Sequence, residues 1–503
     1  MSRRFMRTRN RWLILAVVSV ALFLIVVDMT VLYTALPRLT HDLAATASEK
    51  LWIVNAYPLV VAGLLPGTGT LGDRLGHRNM FAGGLAVFGA ASLFAAYAPS
   101  PGALIAARAL LAVGAAMMMP ATLSIIRHTF EDEKERSVAI GVWASIASGG
   151  AAIGPVMGGA LLEYFWWGSV FLINVPLVLA TLPLALKLIP LRREYSSQPW
   201  DLLGSLQIMA GLIGLAYAVK ELAKRAPSHE AAALAAAIGA VFVYLFVRRQ
   251  RRTATPLIDF ALFRDKRFSA GVLTAITAAI ALIGVELVFS QRLQLVLSMS
   301  PLQAGLAILP IPLASFIAGP LAGLALPRMG NEKLMWQSLL LSGAGLAYFV
   351  LVKDGHVAAR LASLGMLGFG LGAAMTGASS TIMMSAPAHR SGMAASIEEV
   401  SYELGGAMGI ALMGSLLSAV YTATLVLPEV LAIPLQALDS LDEALLIAET
   451  LPAEPAAVLT RLARSAFDRA FVIVMFSAAA LLALAAALIA TFARAPERER
   501  VKQ

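Results

Sequence analysis

Five carboxylates stand inside stretches of chain that are otherwise almost wholly apolar. Asp28 lies in Val26-Val-Asp-Met-Thr-Val-Leu-Tyr-Thr-Ala-Leu-Pro37, Glu286 in a second apolar run, and Glu398, Glu399 and Glu403 in Ile397-Glu-Glu-Val-Ser-Tyr-Glu-Leu-Gly-Gly406. One cation joins them, Arg108 in Leu104-Ile-Ala-Ala-Arg-Ala-Leu-Leu-Ala-Val-Gly114. On a helix Glu399 and Glu403 share a face at i, i+4, while Glu398 points roughly 100° away. Like carboxylates crowded in a low dielectric cannot all be ionised together, so the cluster is expected to hold protons or a cation. The chemistry this predicts is exchange: an entering cation favours the ionised form and drives protons out, and arriving protons release the cation. For any single acid the alternative is a structural hydrogen bond to a neighbouring Ser or Tyr. Glu286, near the end of its run, is balanced between the two readings. Arg108, about two turns from the end of its span, either faces a polar partner or extends its head to the lipid headgroups.

Side chains suited to a soft cation are also present. Trp52, Tyr57, Trp143, Phe171 and Tyr402, with the run Met117, Met118 and Met119, are candidates to line a pocket, because aromatic faces attract quaternary ammonium and thioethers adapt to varied shapes. The bland reading for each is packing against helices or lipid. Six histidines and no cysteine give no metal-ligand or nucleophile–base spacing, so no metal, no cofactor and no enzyme chemistry are expected.

The elements that must position these residues follow from composition. Of 503 residues, 59% are hydrophobic and only 14% charged, with a mean hydropathy of +0.78; a soluble protein carries about 25% charge. The expected class is an all-α membrane protein. The net charge of +9 does not point to nucleic acid, because the arginines fall in short loops between apolar runs. Runs of about 18 or more apolar residues give fourteen expected spans. Lysine and arginine concentrate in alternate loops, which predicts both termini in the cytoplasm. Five arginines precede the first run, but that run is too long for a secretory signal and lacks a cleavage site, so it reads as a retained span.

The expected organisation is a six-helix bundle over 1–190, two inserted transmembrane helices with a basic cytoplasmic linker over 191–266, and a second six-helix bundle over 267–503 with an outer loop at 426–465. The inserted helices are expected at the periphery with no buried charge. The outer loop reads equally as an amphipathic cap or a passive tether. An internal echo supports two halves: Gly69-Thr-Leu-Gly-Asp73-Arg74-Leu-Gly76-His-Arg78 recurs as Gly323-Leu-Ala-Leu-Pro327-Arg328-Met-Gly330, with the aspartate replaced by Pro327. A tight turn at Gly76 would let Asp73, Arg74 and Arg78 pair with one another and with helix ends, as a gate; the alternative is a basic loop that only fixes topology. In the fifth run, Gly141, Gly150, Gly154, Pro155, Gly158 and Gly159 strip one helix face bare, which suits backbone-to-backbone packing or a bend.

The glycine pattern resembles the antiporter motif on the fifth span of major facilitator superfamily drug exporters. The Asp73 segment is similar to the signature loop between spans 2 and 3 of that superfamily. With Leu51-Trp-Ile-Val-Asn-Ala-Tyr57, Trp167-Gly-Ser-Val-Phe-Leu-Ile-Asn-Val-Pro176, Ser300-Pro-Leu-Gln-Ala-Gly305, the Asp28 segment and the span-13 glutamates, the chain resembles the 14-span drug:proton antiporters of the SmvA and QacA types. The resemblance implies a multi-pass protein of a bacterial-type inner membrane, exporting lipophilic cations such as quaternary ammonium compounds, dyes and biguanides against inward protons, functional as a monomer and without nucleic-acid partners. It implies cation and proton roles for Asp28, Glu398, Glu399 and Glu403, and proton transfer at Arg108. Relatives often carry an aspartate where this chain has Asn55, which implies fewer protons per substrate here. The rival class is a proton-coupled symporter of a small organic solute.

Overall fold

The computed structural model describes residues 2–191, 201–222, 227–253, 256–386, 391–427 and 433–493; within the helices the side chains of residues 2–10, of Asp73, of most of 133–148 and of several others, and Gly141, lie outside the described residues. The described chain is helical with no strand. Its first half comprises α1 (Ser2–Asp42), α2 (Ala47–Leu75), α3 (His77–Ala96), α4 (Pro101–Thr129), α5 (Glu133–Tyr164), the short α6 (Ser169–Leu172) and α7 (Asn174–Leu188). Next come α8 (Leu202–Leu222) and α9 (His229–Gln250). The remainder comprises α10 (Lys266–Gln291), α11 (Pro301–Ile308), α12 (Pro310–Met329), α13 (Asn331–Val352), α14 (Val357–Ser385), α15 (Ser391–Thr424), α16 (Leu441–Thr450) and α17 (Ala453–Ala493). Among the described residues thirteen helices are long and apolar enough to cross a membrane, counting α6–α7 and α11–α12 as one each. The fifth expected span falls on α5, 32 residues long, whose side chains are described only in part.

Local chemistry sets the helix ends. Thr46 and Glu49 form a capping box at the start of α2, and Ser300 with Gln303 forms another at α11, ahead of Pro301. Gly76 and Gly330 are the two described glycines with left-handed φ, 90° and 80°. Each ends one helix and begins the next, so the sequence echo is also an echo of backbone geometry.

Two apolar cores form, one dominated by α1–α7 and one by α10–α17. They meet along two seams, α2 against α15 and α5 against α11 and α12. Prolines inside the helices add lateral ties. Pro37 cannot donate to the Tyr33 carbonyl, and Ser290 Oγ of α10 donates to it instead at 2.6 Å. Pro120 likewise frees the Ala116 carbonyl, which accepts from Thr68 Oγ1 of α2 at 2.7 Å.

The inserted pair departs from expectation in its buried charge. α8 packs on α2 and α15, along one seam between the cores, and Asp201, Lys220 and Glu221 are buried there. Asp201 caps α8 at Gly204 and accepts from Arg249 and Gln250 of α9. The absence of buried charge expected from the Ala- and Leu-rich composition therefore fails: the charges sit at the two ends of α8, where partners on α9 and α2 cover them. The segment 426–465 contains α16 and the first turns of α17, so its second part is continuous with the last long helix.

Candidate functional site

Asp28 is fully buried at mid-α1, and Arg108 of α4, 1% exposed, donates from Nη1 to its Oδ2 at 2.5 Å. Asn174, at the start of α7, donates from Nδ2 toward Asp28 Oδ1 and toward Ser92 Oγ of α3, each at 3.2 Å. Arg108 Nε also donates to the Ile53 carbonyl of α2 at 3.3 Å, and its guanidinium lies 4.6 Å from the centre of the Tyr57 ring. Five helices thus converge on one carboxylate. The snorkelling alternative for Arg108 is excluded by its burial and its pairing. Asn174 and Ser92 were not singled out from sequence, although Asn174 stands in the Trp167–Pro176 stretch; the apolar flanks of both gave no signal beyond the polarity of the side chain itself.

The carboxylates on the other side are arranged differently. On α15, Glu398 Oε1 lies 3.3 Å from the Tyr402 hydroxyl, whose other acceptor is the Met375 carbonyl at 3.4 Å. Glu403 is 6% exposed and its Oε2 has no hydrogen-bond partner. Glu399, one turn earlier, is half-buried, and the two carboxylates act on each other electrostatically. Glu286 is buried on α10, the helix against which α15 packs at Gly405 and Gly409. Among the described residues no Lys, Arg or His stands within ion-pair distance of Glu286, Glu399 or Glu403.

Two tyrosines connect the clusters. Tyr57, whose buried hydroxyl has no partner, lies within electrostatic reach of Asp28, Arg108 and Glu403. Tyr33 of α1 lies within reach of Glu286, Arg108 and Glu403. Asp28, Glu286 and Glu403, on three different helices, thus lie within reach of two shared tyrosines. Asn55 is fully buried with neither amide atom bonded, and the Trp143 indole N–H is likewise unpartnered. Phe171 is buried edge-on against Trp167, and Met118 packs on Gly84 between α3 and α4; both belong to helix packing.

The glycines of α5 have separate tasks. Gly150, Gly154 and Gly158 face Val26, Thr30 and Val31 of α1, and a Cβ at either of the latter two would collide with those side chains. Gly159 faces α11, where a Cβ would stand 2.5 Å from Leu302 Cα, and the Pro155 carbonyl abuts Gly305 in return. At the opposite end of the bundle, Arg78 donates to the Leu186 carbonyl of α7 and Arg74 is exposed. The gate contact expected of Asp73 lies outside the described residues.

The α16 end is tied across the junction. Lys50 of α2 is paired with Asp442 of α16 and donates to Gln291 of α10 at 3.0 Å. Glu443 accepts from the Ala47 N–H at 3.0 Å, and His41 meets Glu449 at 3.1 Å. Burial holds the Glu443 carboxyl above its ordinary pKa, with the Ala47 N–H opposing the shift.

The chain is similar over nearly its whole length to known proteins. It is 42% identical over 488 residues to the multidrug efflux pump LfrA of Mycolicibacterium smegmatis, covering 96% of each chain. It is 39% identical over 482 residues to the methyl viologen resistance protein SmvA of Salmonella typhimurium, covering 95% of this chain and 97% of that one. Its fold matches the crystal structure of a bacterial homologue of the human lysosomal transporter Spinster in an inward-facing, unoccupied conformation, with a TM-score of 0.67 at 16% identity over 96% of this chain and 98% of that chain. The sequence profile of the Major Facilitator Superfamily matches residues 18–410. With two helical cores meeting around buried carboxylates, this chain belongs to the Major Facilitator Superfamily, and it is a multi-pass membrane transporter, not an enzyme.

Proposed function

We propose that the chain is a multidrug exporter that moves lipophilic organic cations, such as quaternary ammonium compounds, dyes and biguanides, out of the cell in exchange for protons. The observation that carries this reading is Glu403, buried with an unpartnered oxygen and, among the described residues, with no cation within ion-pair distance. A buried carboxylate left uncompensated must take up either a proton or a mobile cation, and competition between the two is coupling. Glu399 and Glu286 extend the same negative site, and Tyr57 links it to the Asp28–Arg108 pair. The names of the relatives support export of drugs, and methyl viologen is itself an organic dication.

Charge in the loops orients the cycle. The Gly76 and Gly330 turns, both followed or preceded by arginine, are assigned to the cytoplasm, and α16 to the outside. On that assignment the Lys50–Asp442 and Gly159–Leu302 contacts stand at the outer side, where they would have to part for it to open. Protons entering from outside neutralise Glu399 and Glu403 and release the cation; the cytoplasmic loops then reset.

The test is ethidium and chlorhexidine export from proteoliposomes under an imposed pH gradient. Wild type is expected to transport both, and Glu399→Gln/Glu403→Gln to lose the dependence on the gradient. Absence of pH-driven movement of either cation by wild type would overturn the proposal and favour symport of another solute.

A further inference from the structure

Lys220 sits near one end of α8, where a membrane lysine ordinarily sends its ammonium to water. Here it does the reverse. The side chain turns inward, is 4% exposed, and its Nζ has no hydrogen-bond partner. What it meets is the face of Trp52 on α2, 3.9 Å from the ring centre. Tyr217, one turn earlier on α8, brings a second ring to 6.5 Å from Trp52. Leu59 and Ala407 enclose the apolar floor, so α2, α8 and α15 all contribute. The preceding residue on α2, Leu51, packs against Gly414 of α15. The ammonium therefore occupies an aromatic cation site on the seam along which the two cores must separate. A structural lysine would be expected to find a carboxylate or a carbonyl; among the described residues this one finds only a ring.

We propose that the Lys220 ammonium is an internal competitor for a lipophilic-cation site on Trp52. The inference rests on the cation-export reading above. One ring face binds one cation, so a substrate passing the seam displaces Lys220, and the returning lysine, held by α8 at high local concentration, drives the substrate off. Trp52 and Tyr217 supply the attraction; Lys220 keeps it from becoming a trap.

The test is binding of tetraphenylphosphonium to the purified full-length chain by titration calorimetry. Lys220→Met, which keeps the apolar stem and removes the charge, is expected to tighten binding by about tenfold, the size of one cation–π contact, and to slow release of the cation in stopped-flow displacement. Lys220→Arg is expected to bind as wild type. In a Trp52→Leu background, Lys220→Met is expected to change nothing. Unchanged affinity in Lys220→Met, or tightening that survives in Trp52→Leu, would overturn the proposal while leaving cation export intact. No binding by wild type would remove the export reading and this proposal with it. Should Lys220→Met fail to fold, Lys220→Gln carries the same comparison, with Lys220→Arg as the folding reference.

Discussion

Asp28 and Glu403 are both buried carboxylates in the heart of the bundle, and their surroundings are opposite. Asp28 has a guanidinium at 2.5 Å and an amide donor at 3.2 Å. Glu403 has an unpartnered oxygen and, one turn away, another acid. The first core carries its own counter-ion; the second leaves that position open. A compensated carboxylate gains little from a visiting proton or cation, because the pair must first be broken. An uncompensated one gains much. On the proposed exchange, the division assigns the exchanging acid to the second core and a fixed ion pair to the first, with Tyr57 between them.

The strongest attempt to break that comparison is Arg108→Met. It strands Asp28, and loss of one member of a buried pair is expected to cost about 3–5 kcal/mol, read as a lowered unfolding temperature in detergent. Asp28→Asn/Arg108→Met is expected to recover most of it. Equal stability of Arg108→Met and wild type would mean that the pair is not what compensates Asp28. Next in size is proton release on tetraphenylphosphonium binding, followed with a pH dye in weak buffer. Glu403→Gln is expected to abolish the release and Asp28→Asn to retain it; the opposite ranking would move exchange to the first core.

A third comparison sets donor against donor. Asn174→Ala removes an amide that serves both Asp28 and Ser92, and should cost about 1–3 kcal/mol. Tyr402→Phe removes a hydroxyl shared between Glu398 and a carbonyl, and should cost less than about 1 kcal/mol. Thermal unfolding of the two variants checks the order. The smallest effect is expected from Asn55→Asp, which gives the first core a second acid without a counter-ion. Its predicted signature is a higher proton-to-cation ratio in proteoliposomes with transport retained, and an unchanged ratio would show that position 55 lies outside the exchange path.

Much of this was legible in the chain and some was not. Carboxylates in apolar runs announce themselves, because charge at that depth has a cost that sequence alone displays. The glycine run on α5 was equally plain, since five glycines and a proline in one span have few other uses. Arg108 was visible but its partner was not: Asp28 is on another helix, and periodicity along one helix says nothing of which neighbour it meets. Lys220 was obscured for a different reason. At the end of an apolar run a lysine reads as a loop or interface residue, and only the packing of α8 on α2 turns it inward. Asn174 and Ser92 carry too little polarity to stand out, and their importance arises wholly from convergence on Asp28.

The reciprocal contact of Gly159 with Leu302 and of Gly305 with the Pro155 carbonyl bears on speed. Interlocked side chains make a ratchet: one helix can pass another only by lifting over each knob, and each lift is an activation barrier. Here each contact sets a glycine, which has no knob, against the backbone of its partner helix. The attraction is spread over many weak contacts, including Cα–H groups against carbonyls, that weaken gradually as the angle changes. The seam between α5 and α11 is therefore built as a bearing that can turn without lifting over a knob, while α16 is held by discrete ionic and hydrogen-bonded ties.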